Sequence, residues 1–100
     1  MEVLILPFSI MKNNCAIFPG SFDPITKGHV NIVNRALKIF DNIVIAIGAN
    51  KTKEYMFSIH DRIKMINIVF KDNPRVTIKS YNGLTVQFCE NNNIRTIIRG

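Results

Sequence analysis

Phe18-Pro19-Gly20-Ser21-Phe22-Asp23-Pro24-Ile25-Thr26-Lys27-Gly28-His29 is the stretch whose reading decides the fold. Before it stands a short apolar run, Cys15-Ala16-Ile17-Phe18, which predicts a buried strand. After it, Val30, Val33, Leu37 and Phe40 recur at helical spacing, predicting a helix from about Gly28 to Phe40. Strand, loop and helix thus follow one another within about one βαβ half-unit. A helix start carries unpaired N–H groups and a partial positive charge, which suits an anion such as phosphate. Gly20 and Gly28 let a bulky group approach the backbone. Ser21 and Thr26 add hydroxyls, and His29 puts an imidazole at the mouth of the same helix. The loop lacks the Lys that follows the last Gly of a Walker loop, and it lacks the three glycines of the dinucleotide fingerprint.

The tetrad Thr26-Lys27-Gly28-His29, preceded by Gly20-Ser21-Phe22-Asp23-Pro24, resembles the HxGH/TxGH signature of the nucleotidyltransferase superfamily. The fuller string FPGSFDPITKGH is similar to that of the bacterial phosphopantetheine adenylyltransferases, and the resemblance runs from about Cys15 to Gly100. It implies an α/β fold: a Rossmann-like open parallel sheet ordered 3-2-1-4, with helices on both faces and the family's fifth strand missing.

The rest of the chain reads in keeping with that fold. Ile43-Val44-Ile45-Ala46-Ile47-Gly48 is a continuous apolar run, as expected of a parallel strand covered on both faces. Ser58 opens a second helix with a capping-box pattern completed by Asp61, and Ile59, Ile63, Ile66 and Phe70 form its apolar stripe. His60 reads as a surface residue. Val76-Thr77-Ile78 predicts a third strand and Tyr81-Asn82-Gly83 a turn. Leu84 to Asn91 predicts a short helix with Leu84, Phe88 and Cys89 inward, and Ile94 to Ile98 a fourth strand. In a 3-2-1-4 sheet the first and fourth strands are neighbours at a topological switch point, where ligands settle. Arg99 is therefore expected beside Ser21 and His29.

By the resemblance, the activity is adenylyl transfer from ATP to 4′-phosphopantetheine, giving dephospho-coenzyme A and pyrophosphate. The acceptor phosphate is already ionised near neutral pH, so no strong general base is required. What the reaction needs is positioning of two polyanions and stabilisation of charge on the α-phosphate. His29 is expected to donate a hydrogen bond there. Ser21 would touch both substrates, and Phe22 and Gly100 would line the ATP side. Lys53 and Arg99 would hold the acceptor phosphate, and Thr85, with Leu84, would meet the pantetheine arm. Lys53 is placed by counting back from Met56-Phe57, and Lys51 is the alternative. Mg²⁺ is expected on the triphosphate without a protein cage. A homo-oligomer, hexameric in the family, is implied as well.

Composition sets wider bounds. One hundred residues, 47% hydrophobic and 20% charged, describe a single globular domain. The net charge of +6 favours anionic partners, but Lys and Arg are scattered and not interleaved with aromatics. Nucleic acid is therefore not expected as a partner. Cys15 and Cys89 lack metal-ligand spacing and read as core thiols of a reducing compartment. The apolar Met1–Ile10 is too short to span a bilayer and has no export features. It is expected to be an upstream extension before a functional start at Met11, or else an extra edge strand. No membrane partner and a cytoplasmic location follow. Residues 11–100 then form the N-terminal part of one nucleotidyltransferase domain. In the family the Arg99-Gly100 pair is followed by a second Arg and an ISSTxIR-like motif, neither of which is in this sequence. A fragment or early stop is therefore expected, with impaired turnover and an uncovered sheet edge. Two other readings share the loop: a nucleotidyltransferase for another acceptor, such as nicotinate mononucleotide, and a non-catalytic nucleotide-binding module.

Overall fold

Period-two alternation along the central strands divides the core into two halves. The computed structural model describes residues 1–7, 14–50 and 52–100. Its elements in chain order are β1 (Glu2–Ile5), β2 (Cys15–Gly20), α1 (Lys27–Ala36), β3 (Asn42–Gly48), α2 (Ile59–Phe70), β4 (Val76–Tyr81), α3 (Thr85–Asn91) and β5 (Thr96–Arg99). Ala16 and Phe18 of β2, with Ile43, Ile45 and Ile47 of β3, face a cluster completed by Val33 and Ala36 of α1 and Ile66 and Phe70 of α2. Cys15 and Ile17, with Val44 and Ala46, face the opposite cluster, where Cys89 and Phe88 of α3 close it. Successive strand residues point to opposite faces, so an unbroken apolar run is what a sheet covered on both sides requires. Helices α1 and α2 cover one face and α3 the other.

The sheet runs β1-β5-β2-β3-β4. From β5 to β4 the pairing is parallel, and this is the order 3-2-1-4 expected for the four strands read from the sequence. The departure lies at one edge. Glu2–Ile5 pairs antiparallel with β5, in register Glu2↔Arg99 to Ile5↔Thr96, and the amide of Leu6 donates to the Arg95 carbonyl at 2.7 Å. The expected four-stranded sheet with an uncovered edge is thus corrected to a five-stranded sheet, and of the two readings of the apolar opening the extra edge strand is the one found for Glu2–Ile5. An unpaired strand edge offers a row of hydrogen-bonding groups, and a nearby β-branched segment satisfies them. All four β1 residues remain exposed, so the segment adds ladder bonds but little core. The expected start at Met11 lies outside the described residues.

Other boundaries moved by a few residues. Helix α1 ends at Ala36, and Arg75 donates to the carbonyls of Leu37, Phe40 and Asp41 just beyond it, where orphan acceptors and the negative helix end favour a cation. Strand β4 continues to Tyr81 and β5 begins only at Thr96. Leu84, expected to point inward, is the N-cap of α3 and 76% exposed; a residue in extended conformation ahead of a helix does not share the helix's inward stripe. Asp61 donates its backbone N–H to Ser58 Oγ at 3.1 Å, one half of the capping box expected there.

Candidate active site at the C-terminal ends of the parallel strands

The loop after β2 is built around two aromatic rings. Phe22 has φ 48°, a left-handed conformation that is costly for a bulky residue, and its ring is buried at 2% exposure. Gly20 makes this fit: a Cβ there would meet the Phe22 ring at 3.0 Å. The ring stands edge-on to Phe18, centroids 5.3 Å apart, and 4.8 Å from the imidazole of His29. Phe22 therefore backs His29 from inside the core.

His29 is fixed on its other side by a reciprocal cap. Thr26 is the N-cap of α1; its Oγ1 accepts from the His29 backbone N–H at 3.3 Å, and its own N–H donates to His29 Nδ1 at 2.9 Å. A nitrogen that accepts an N–H bond carries no proton, so in the neutral ring the proton sits on Nε2. Partial burial pushes the His29 pKa below its usual value, favouring that neutral form. The result is an imidazole at a helix start whose distal N–H is a donor.

Asp23 turns the same loop toward its partner. Its two carboxylate oxygens accept from the backbone N–H groups of Met56 and Phe57, the latter at 2.7 Å. This ties the β3–α2 connection to the β2–α1 loop and brings Lys53 over Ser21, with Nζ donating to Oγ at 3.3 Å. Beneath them Arg62 of α2, 2% exposed, donates to the carbonyls of Ser21 (2.9 Å), Gly48 (3.2 Å) and Phe57 (3.1 Å). Its guanidinium carbon lies 3.9 Å from the Tyr55 ring centroid. Lys53, Tyr55, Arg62, Asn50, Ser58 and Asn82 contribute to a cavity of about 430 Å³ beside this cluster. A second, of about 260 Å³, lies between Gly48, Asn50, Tyr81 and Gly83.

The two residues at the end of the chain reach the same side of the sheet. Strands β2 and β5 are parallel with Ile17 level with Ile97, so Arg99 emerges at the end of the sheet from which the Ser21 loop leaves. Gly100 packs on α1, where an added Cβ would come within 2.7 Å of Ile32 Cδ1. The exposed Arg99 guanidinium is 3.7 Å from Glu2 of β1. Thr85, the first residue of α3, exchanges a 2.7 Å hydrogen bond with the Tyr81 hydroxyl, one residue pair from the smaller cavity. The expected set therefore falls into three groups: on the β2–α1 loop Ser21 bonds Lys53 and the next residue, Phe22, pairs its ring with that of His29; Arg99 and Gly100 lie at the same sheet end; and Thr85 borders the β4 side. Lys51 lies outside the described residues.

Three participants were given no role of their own in the reading of the sequence. Asp23 and Tyr55 carry no periodic signal. Arg62 carries one: it sits three residues after Ile59 and four before Ile66, on the inward stripe of an amphipathic helix. Among the described residues no group of three or more His, Cys, Asp or Glu side chains could hold a metal ion, and no helix is long and apolar enough to cross a membrane.

Comparisons with known proteins show the family and the fold. The cytidylyltransferase-like family model matches residues 17–100. Similar curated proteins are the phosphopantetheine adenylyltransferases of Christiangramia forsetii (49% identical over 85 residues), Flavobacterium psychrophilum (52% over 85) and Clostridium tetani (48% over 87). The alignments take in 85–87% of this chain and 54–56% of those proteins, so the chain spans about half the length of the curated relatives it matches. A crystal structure of a bifunctional NMN adenylyltransferase/ADP ribose pyrophosphatase from Francisella tularensis superimposes with a TM-score of 0.63 over 79% of this chain and 25% of that one. At 24% identity the likeness speaks to the fold. With a family match that runs from the middle of β2 to Gly100 and takes in the loop, the capped His29 and the β5 terminus, the chain belongs to the cytidylyltransferase-like family.

Proposed function

We propose that this site takes part in adenylyl transfer from ATP to 4′-phosphopantetheine, releasing pyrophosphate and forming dephospho-coenzyme A. The observation that carries the reading is that one loop holds both a cationic contact, Lys53 Nζ on Ser21 Oγ at 3.3 Å, and a His29 whose Nδ1 accepts the Thr26 N–H, which leaves Nε2–H as the donor. The names of the similar proteins, phosphopantetheine adenylyltransferases, support the choice of acceptor.

In this mechanism a phosphate oxygen of the acceptor attacks the α-phosphorus of ATP, a new P–O–P bond forms, and the bond to the β-phosphate breaks as pyrophosphate leaves. No proton need be removed from the nucleophile. Lys53 and Arg99 hold the acceptor phosphate, one as a point charge and one as a fork. Ser21 stands between the substrates, and Nε2–H of His29 donates to an α-phosphate oxygen as charge gathers there. Gly100 lets the chain approach the nucleotide side, and Thr85 faces the pantetheine arm. Mg²⁺ would come bound to the triphosphate and offset its charge, and the Asp23 carboxylate beside the loop is engaged with two backbone N–H groups. A homo-oligomer and a cytoplasmic location go with the reading, and exposed Ile68 and Val69 on α2 are side chains that an interface would cover.

Calorimetric titration with 4′-phosphopantetheine and with nicotinate mononucleotide tests the acceptor. Binding of the first and not the second is expected; equal affinities would overturn the choice.

A further inference from the structure

We propose that Arg62 is a positioning residue that assembles the phosphate seat from three separate segments, an assignment that rests on the reading of Ser21 and Lys53 as phosphate ligands. Among the described residues the ion pair within 4.0 Å is that of Glu2 with Arg99, so this guanidinium is buried without a carboxylate beside it. A buried charge is costly unless hydrogen bonds and neighbouring dipoles compensate it. Here the compensation comes from the ends of the elements that frame the site. Nη1 binds the Ser21 carbonyl after β2 and the Gly48 carbonyl at the end of β3, while Nε binds the Phe57 carbonyl just before α2.

The planar fork holds these three carbonyls in one fixed relation, and the Tyr55 ring covers the guanidinium. Phe57 is also held through its N–H by the Asp23 carboxylate, two residues beyond Ser21 in the same loop, and from that connection Lys53 Nζ reaches Ser21 Oγ. Arg62 thus fixes the backbone that carries the Ser21 hydroxyl and the loop that carries Lys53, while its own charge adds to the positive potential under the seat. A lysine reaches one or two of these acceptors and a methionine none.

The test measures binding of inorganic phosphate and, separately, 4′-phosphopantetheine to the folded chain by NMR, following the Ser21 and Phe57 amides. Arg62→Met is expected to bind phosphate about ten-fold or more weakly, the loss typical of removing charge-assisted hydrogen bonds. Arg62→Lys is expected to fall between it and the wild type. Ile66→Val, a core substitution in the same helix, is expected to lower Tm while leaving both affinities within about two-fold. If Arg62→Met does not fold, Arg62→Lys decides: a weakened affinity supports the assignment and an unchanged one overturns it. Wild-type affinity in Arg62→Met, an equal loss in Ile66→Val, or no phosphate binding by the wild type each overturns it. If phosphate binding depends on Arg62 but 4′-phosphopantetheine binds no tighter than phosphate, the positioning role stands and the acceptor reading fails.

Discussion

At the scale of single residues, the chemistry of the site follows from which atom of His29 is already engaged. The Thr26 N–H occupies Nδ1, so ¹⁵N NMR is expected to show the Nε2–H tautomer at neutral pH. Burial lowers the His29 pKa, and the sign of the consequence is definite. Above the unfolded value near 6.5 both states are neutral and the group is without effect on stability. As pH falls through that value the unfolded chain gains a proton first, so stability declines until the lower folded pKa is reached. Below that point Nδ1 is protonated and the cap is broken, so acid should both destabilise α1 and remove the site's geometry. A flat Tm from pH 7.5 to 5.5 in wild type relative to His29→Gln would count against this. The loop, the glycines and His29 were legible because sterics and helix ends leave marks on sequence. Phe22 was expected to line the ATP side; that its ring is buried against His29 was not legible, since nothing local distinguishes a ring that turns inward at positive φ. Asp23 and Arg62 were missed because their partners are backbone groups distant in sequence.

At the scale of elements, parallel strands read clearly and edges do not. The run Ile43–Gly48 could be assigned because a strand buried on two faces has no polar side. The pairing of Glu2–Ile5 with β5 could not, since four exposed residues carry no pattern that names a partner. Stability should be distributed accordingly. Hydrogen exchange is expected to be slowest in β3 and fast in β1, which has a ladder but almost no buried side chain. Equal protection in the two strands would mean that β1 belongs to the core. Ile45→Ala, at a fully buried position, should cost about 2–5 kcal/mol by denaturant unfolding, whereas Val3→Ala should cost well under that. The two cysteines lie in β2 and α3, both buried, and burial raises both thiol pKa values. Neither should react with iodoacetamide at neutral pH on the time scale of an unfolded control.

At the scale of the whole molecule, one end of the sheet gathers what the sequence keeps apart. The loop after β2, the connection after β3 and the terminus of β5 all open there because parallel strands deliver their C-terminal ends to the same side. That much was legible once the strand order was argued. The fit of Lys53 onto Ser21 depended on the Asp23 clasp and was legible only through resemblance to related chains. The most direct test is an NMR titration with 4′-phosphopantetheine that follows Ser21, Lys53 and Arg99 in one experiment. The account predicts that all three shift along a single binding curve while Lys64 and Lys71, on the outer face of α2, do not. A curve for Arg99 separate from that of Ser21 and Lys53, or shifts centred on the outer face of α2, would contradict it.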